Sequence, residues 1–214
     1  MATRPRSVIP LLAAVSLAAC AAMLPTRLYT LDPAEPPNAA RVGRVSVVGL
    51  GPVTLAAYLD RPEIVTRVGE HQVRPGEFDR WAGQLEPMFS KALADRLRGT
   101  TGVRDVVLMP ARDGASPRDA VAVDVARFDA DEGGRIVLEA DWRVYRVEGG
   151  RTGASGHEVI REQGSPPPDY AAVVAAMARA VDELAGRIAP AIRGLEAERS
   201  RAGQREVQAG RREG

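Results

Sequence analysis

Val121-Ala122-Val123-Asp124-Val125 and Ile136-Val137-Leu138-Glu139-Ala140-Asp141-Trp142-Arg143-Val144 are the two runs whose reading decides the fold. In each, apolar residues recur at every second position, the period of a strand with one covered face. Asp131-Glu132-Gly133-Gly134 between them supplies a turn, so the runs predict a hairpin. Glu148-Gly149-Gly150-Arg151 is a second turn. Gly153 to Gln163, though poorer in apolar residues, is the candidate for the third strand of an antiparallel meander.

Downstream, Asp169 follows Ser165-Pro166-Pro167-Pro168 and is placed to cap a helix, because its carboxylate can accept from the free amides of a first turn. Val173, Val174, Met177, Val181, Leu184 and Ile188 form the apolar face of that helix, and Pro190 and Gly194 predict its end. The remainder, 195–214, has almost nothing to bury and is expected as a disordered tail or a loose helical extension. Upstream, Phe78, Trp81, Leu85, Met88, Phe89, Ala92, Leu93 and Leu97 recur at three- and four-residue steps, one stripe of an amphipathic helix. Pro87 inside the stripe predicts a kink there, or two short helices with the main one starting near Glu86.

Val103 to Met109 reads as a compact apolar strand buried on both faces, followed by a surface loop from Pro110 to Arg118. Arg44 to Leu50 with Val53-Thr54-Leu55 reads as a strand broken or bulged at Gly49, Gly51 and Pro52, and Ile64 to Val68 as another. With Asp60-Arg61-Pro62 as the turn between them, a hairpin is the economical interpretation. The expected fold class is therefore α+β, a mostly antiparallel sheet with two amphipathic helices packed on one face, forming a single domain over 41–194.

The amino terminus carries a different signal. Arg4 and Arg6 precede an apolar run, Val8 to Ala19, that is well short of the roughly 20 residues a membrane-spanning helix needs. The run ends Leu17-Ala18-Ala19-Cys20, which resembles the lipobox of bacterial lipoproteins, so 1–19 is expected as a signal peptide and Cys20 as the lipidated first residue of the mature chain. Cys20 is the only cysteine, so no internal disulfide can form, and acylation gives the lone thiol a purpose. Each buried methylene contributes about 0.8 kcal/mol, and several long chains on one residue make a nearly permanent anchor. Ala21 is not the aspartate that commonly retains lipoproteins at the inner membrane, which by resemblance to that sorting rule implies the outer membrane. Residues 20–40 then read as a lipidated tether containing a first short strand around Leu28-Tyr29-Thr30-Leu31, with Pro33 to Pro37 as a connection.

The charge balance implies no nucleic-acid partner: the chain has 29 basic and 28 acidic residues, and loss of Arg4 and Arg6 leaves the mature part near neutrality. Catalytic and metal-binding patterns are absent from the sequence. His71 and His157, the only histidines, have no metal-ligand spacing, and Gly153-Ala154-Ser155-Gly156 has the wrong spacing for a nucleophile elbow. Asp129-Ala130-Asp131 invites a calcium loop, but its twelfth position would be Ala140, so a hairpin turn is the better account. The stripe Trp81, Leu85, Phe89 reads as a core face rather than a lipid groove. Tyr58, Leu59, Asp60, Arg61 and Pro62 form the candidate partner-contacting loop, with a turn held by a local ion pair as the equal alternative.

Several of these residues resemble the auxiliary lipoproteins of ABC-type transporters with MCE (mammalian cell entry) domain subunits, including the lipoprotein of the paraquat-inducible Pqi system. They are Tyr29-Thr30-Leu31-Asp32; Gly51-Pro52-Val53-Thr54-Leu55 with Tyr58-Leu59-Asp60-Arg61-Pro62-Glu63-Ile64-Val65-Thr66-Arg67; Trp81; Phe89-Ser90-Lys91-Ala92-Leu93-Ala94 with Leu97; and the helix from Tyr170. The resemblance extends from Cys20 to about Ile192 and is densest between Gly51 and Arg67. It implies a non-enzymatic lipoprotein subunit of an intermembrane lipid transport system, without cofactor or metal, anchored in the outer membrane and facing the periplasm. Its expected partners are a periplasmic MCE-domain protein, the membrane, and further copies of itself. The competing expectation is a lipoprotein chaperone or assembly factor for outer-membrane components.

Overall fold

The strand Asp119–Asp131 is the spine of the sheet, and the residues on its two edges set the architecture. The computed structural model describes residues 25–32, 46–101, 103–111 and 116–210. In chain order the elements are β1 (Arg27–Tyr29), β2 (Val47–Leu55), β3 (Glu63–Arg67), β4 (Val73–Trp81), α1 (Leu85–Thr101), β5 (Asp105–Leu108), β6 (Asp119–Asp131), β7 (Arg135–Arg146), β8 (Thr152–Gln163) and α2 (Tyr170–Gly210). The expected meander is present: β6 pairs antiparallel with β7, with Val121 opposite Val144, and β7 with β8, with Leu138 opposite Ile160. At the β6–β7 turn, Gly134 adopts φ +77°, and a Cβ there would lie 2.5 Å from the backbone of Ser165, so only glycine fits.

The other edge of β6 is shared by two strands in succession. β2 runs parallel to its first half, from Val48 opposite Asp119 to Leu55 opposite Val125. β3 runs parallel to its last residues, with Thr66 opposite Ala130 and Arg67 opposite Asp131. The expected β2–β3 hairpin is therefore replaced by an interrupted strand. A 3-10 turn, Ala57–Leu59, and the bend at Arg61 and Pro62 carry the chain out and back without reversing it. β5 adds in parallel outside β2, β4 antiparallel outside β3, and β1 in parallel outside β4. With parallel pairings at β1–β4, β2–β5, β2–β6 and β3–β6, the sheet is mixed rather than mostly antiparallel.

β4 was not expected at all, and it takes Phe78 and Trp81 out of the predicted helical stripe. The helix begins at Leu85, beside the start near Glu86 expected for the main helix, which puts Pro87 in its first turn, where a missing amide costs nothing. β5 is an edge strand with Leu108 exposed and Val106 buried, not a strand covered on both faces. The bulge expected near Gly51 is present between Leu50 and Val53. There Gly51 has φ +148° and lies so close to Met109 that a Cβ would approach its side chain to 2.9 Å.

Both helices cover one face of the sheet, α2 over β6, β7 and β8 and α1 over β2 and β5, with the helices touching each other. Leu85, Phe89, Leu93 and Leu97 of α1 and Val173, Met177, Val181, Leu184 and Ile188 of α2 are buried with Val121, Val123, Val125, Ile136, Leu138 and Val144. The Asp169 side chain caps α2, accepting from the Ala172 amide at 3.2 Å. α2 does not stop at Gly194. Pro190 deletes a backbone donor, but Ile188, Ala189 and Ile192 around it are buried, and their packing holds the helix through it. Beyond it Leu195 packs on the core, Arg199 pairs with Asp119, and helix continues to Gly210. The uncovered sheet face is polar, with Asp124, Asp141, Arg143, His157 and Arg161 exposed, and Thr54 Oγ1 donates to Asp124 at 2.9 Å.

Candidate functional site

Tyr58 and Leu59 leave the interrupted strand on the 3-10 turn and point back into the body. Leu59 is buried, and the Tyr58 hydroxyl donates to Oδ2 of Asp129 at 2.8 Å. Asp129 is fully buried and also accepts from Arg67 Nη2 at 2.8 Å and Arg127 Nε at 2.9 Å. The Arg67 guanidinium lies 5.8 Å from the centre of the Tyr58 ring, close enough for a cation–π contact. This cluster staples the bend between β2 and β3 onto β6. The residue block that most resembles the transporter lipoproteins is thus chiefly a structural device. Only Asp60, Arg61 and Pro62 of the candidate loop are exposed, and the local ion pair considered for it does not form among the described residues.

Burial and the adjacent Asp129 carboxylate push the Tyr58 hydroxyl up from 10.0 to about 12. The folded state therefore keeps a proton that the unfolded chain gives up, and stability falls as pH rises between those two values. Tyr58→Phe is expected to flatten that part of the stability–pH curve; urea titrations of both proteins across the alkaline range check it.

A second buried carboxylate fixes the start of the domain. Arg27 grips Asp79 with two hydrogen bonds of 2.7 Å, and the Tyr29 hydroxyl donates to the same carboxylate at 2.8 Å. Leu31 is buried, and Asp32 accepts from Lys91 Nζ at 3.0 Å, so the only lysine of the chain closes the clasp from α1. Sequence reasoning singled out Tyr29 to Asp32 by resemblance but missed Arg27 and Asp79. An arginine and an aspartate 52 positions apart give no local signal.

Asp131 caps the β6–β7 turn. Burial opposes its ionisation, but hydrogen bonds from the Arg135 amide and guanidinium and the Gly133 amide outweigh this and hold its carboxyl below the ordinary value. Both acids of the calcium-like motif are thus engaged within the protein. Trp81, Leu85 and Phe89 are all buried in the core. His71 is almost fully exposed, whereas His157 sits 3.0 Å from Asp141 on the open sheet face. At the end opposite the β6–β7 turn, Arg118, Arg146, Val147, Leu195 and Arg199 line an open depression, and Arg146 and Arg199 share the buried Asp119. Cys20 lies outside the described residues, as do the signal-peptide region 1–19 and the Pro33–Pro37 connection.

These features define a single-layer mixed sheet with a two-helix cover, whose first strand is locked to the body directly after a lipobox-like cysteine. No helix among the described residues is long and apolar enough to cross a membrane. The family model of the ABC-type transport auxiliary lipoprotein component matches residues 29–189, and the chain belongs to that family. It is a family of transport accessories and not an enzyme class. No curated protein matches the sequence. The fold is similar to that of a protein from Xanthomonas campestris, with 20% identity, a TM-score of 0.61, and coverage of 81% of this chain and 99% of the other. An uncharacterized protein of known crystal structure is similar at 17% identity and TM-score 0.60, covering 79% and 99% of the two chains.

Proposed function

We propose that this chain is the outer-membrane-anchored lipoprotein of an ABC/MCE-type intermembrane lipid transport system, held by acyl chains on Cys20 and docking the periplasmic MCE component without catalysing a reaction itself. Membership of the transport auxiliary lipoprotein family carries the reading. The lipobox-like Leu17-Ala18-Ala19-Cys20 supports the anchor, and exposed Asp60, Arg61 and Pro62, set on a stapled bend, offer a rigid contact to a partner. Residues 1–19 act as the export signal and 20–40 as the lipidated tether with its first short strand, and the MCE protein supplies the conduit that this subunit holds.

The test has two parts. Cys20→Ser is expected to move the protein from the membrane pellet to the soluble periplasmic fraction, with intact mass showing loss of the acyl chains; retention in the pellet would remove the anchor. The lipidated wild type is expected to co-purify with a periplasmic MCE-domain protein. No association in any detergent or lipid condition would sink the docking role. A stable complex with a β-barrel protein instead would favour the assembly-factor reading.

A further inference from the structure

We infer that the end of the domain bearing the β3–β4 and β6–β7 turns rests on the lipid surface, while the opposite end, with the last turns of α2, points away from it. The inference rests on the lipid-anchored reading above and adds the face that meets the membrane.

The direction comes from topology. β1 runs parallel to β4, so the chain enters β1 from the side on which β4 begins at Val73. Arg27 lies opposite Asp79, and Val73 is six residues nearer the turn end, about 20 Å along the strand. From Cys20 to Arg27 there are seven residue steps, which span at most about 25 Å when fully extended. Even a taut tether therefore carries the lipid only about 5 Å past Val73.

The clasp removes any further slack. Peeling β1 away to lengthen the tether would break the two-pronged Arg27–Asp79 pair, withdraw the Tyr29 hydroxyl and expose Leu31. The far end is out of reach. Asp119 is eleven residues from Ala130 along β6, about 36 Å from the level of the turns. Past Arg199, which pairs with Asp119, α2 continues for eleven residues, roughly 16 Å more.

The surface that meets the headgroups is not a basic patch. Gly69, Glu70 and His71 are exposed at the β3–β4 turn, and Arg74 beside them is paired with Glu132 at 3.1 Å. Orientation is thus set by tether length and not by attraction to anionic lipid, and it should not depend on salt.

The full lipidated protein in phosphatidylethanolamine–phosphatidylglycerol vesicles tests this, with spin-labelled headgroup lipid as quencher. Because Cys20 carries the lipid, His71→Cys or Glu148→Cys gives one labelling thiol, at the turn end or on the exposed β7–β8 turn. Fluorophores are expected to be quenched several-fold more at 71 than at 148, at low and high salt alike. Equal quenching, or stronger quenching at 148, in protein that floats with the vesicles overturns the orientation but leaves the anchor standing. Protein that fails to float overturns the anchor, and this inference with it. A flexible insertion of about twenty residues between Ala22 and Met23 should erase the difference; an unchanged difference would show that the short tether does not set the orientation.

Discussion

Asp129→Ala is expected to lower the stability of the fold by about 3 kcal/mol, the lower end of the range for removing one partner of a buried ion pair. The magnitude follows from asymmetric burial. The Asp129 side chain is 0% exposed, whereas Arg67 and Arg127 keep 20% and 30% exposure, so water reaches the guanidiniums once the carboxylate is gone. What water cannot repair is the bend between β2 and β3, which then loses the Tyr58 and Arg67 contacts together. Tyr58→Phe, which removes the hydroxyl's bond to Asp129 and the weaker one it accepts from the Phe128 amide but keeps both ion pairs, should cost about 1–2 kcal/mol. Urea unfolding followed by the fluorescence of buried Trp81 and Trp142 measures both. If Asp129→Ala cost no more than Tyr58→Phe, the cluster would be a surface ornament and the stapled bend would need another explanation.

Phe89→Ala should be at least as damaging, at about 3–5 kcal/mol. Phe89 is 0% exposed and meets Phe128 edge to face, with ring centres 5.4 Å apart. It joins α1 to the spine strand at the level of the Asp129 cluster, so the cavity opens where helix and sheet meet and neither can close in without moving the other. Phe89→Leu, which keeps most of the volume, should recover more than half of the loss. A loss below about 1 kcal/mol for the alanine variant would mean that the α1–sheet contact is not the tight joint described.

What could be read from the sequence depended on whether the signal was local. The β6–β7–β8 meander alternates with period two and turns at glycine pairs, and α2 shows its apolar stripe and its Asp169 cap within a few residues of each other. β4 shows neither. Pro75 and Gly76 interrupt it, and its register against β3 jumps, with Val65 opposite Pro75 but Glu63 opposite Arg80. The extra residues in β4 destroy the alternation, so Phe78 and Trp81, three apart, fell into the helical period of the segment that follows. The β2–β3 hairpin failed for a different reason. Neighbouring strands pair with each other more often than not, and only the strand some 70 residues further on shows that both line up along a common partner.

The candidate site divides in the same way. The lipobox-like stretch is contiguous, and so is an aromatic beside Asp-Arg-Pro. That the Tyr58 hydroxyl is committed inward to Asp129, leaving Asp60, Arg61 and Pro62 outside, follows from a contact across 71 positions.

The parallel seating of β2 and β3 on β6 also dictates an order of events during biogenesis. Leu50 meets its neighbour Val121 only after some seventy more residues have been threaded out, and until then both strands have bare, pairing-competent edges. Such non-local closure is slow, and the waiting segment is open to mispairing with other emerging chains. A chaperone that shields the first hundred residues until β6 has emerged would therefore raise the yield of this protein more than one acting on the carboxy-terminal helix α2.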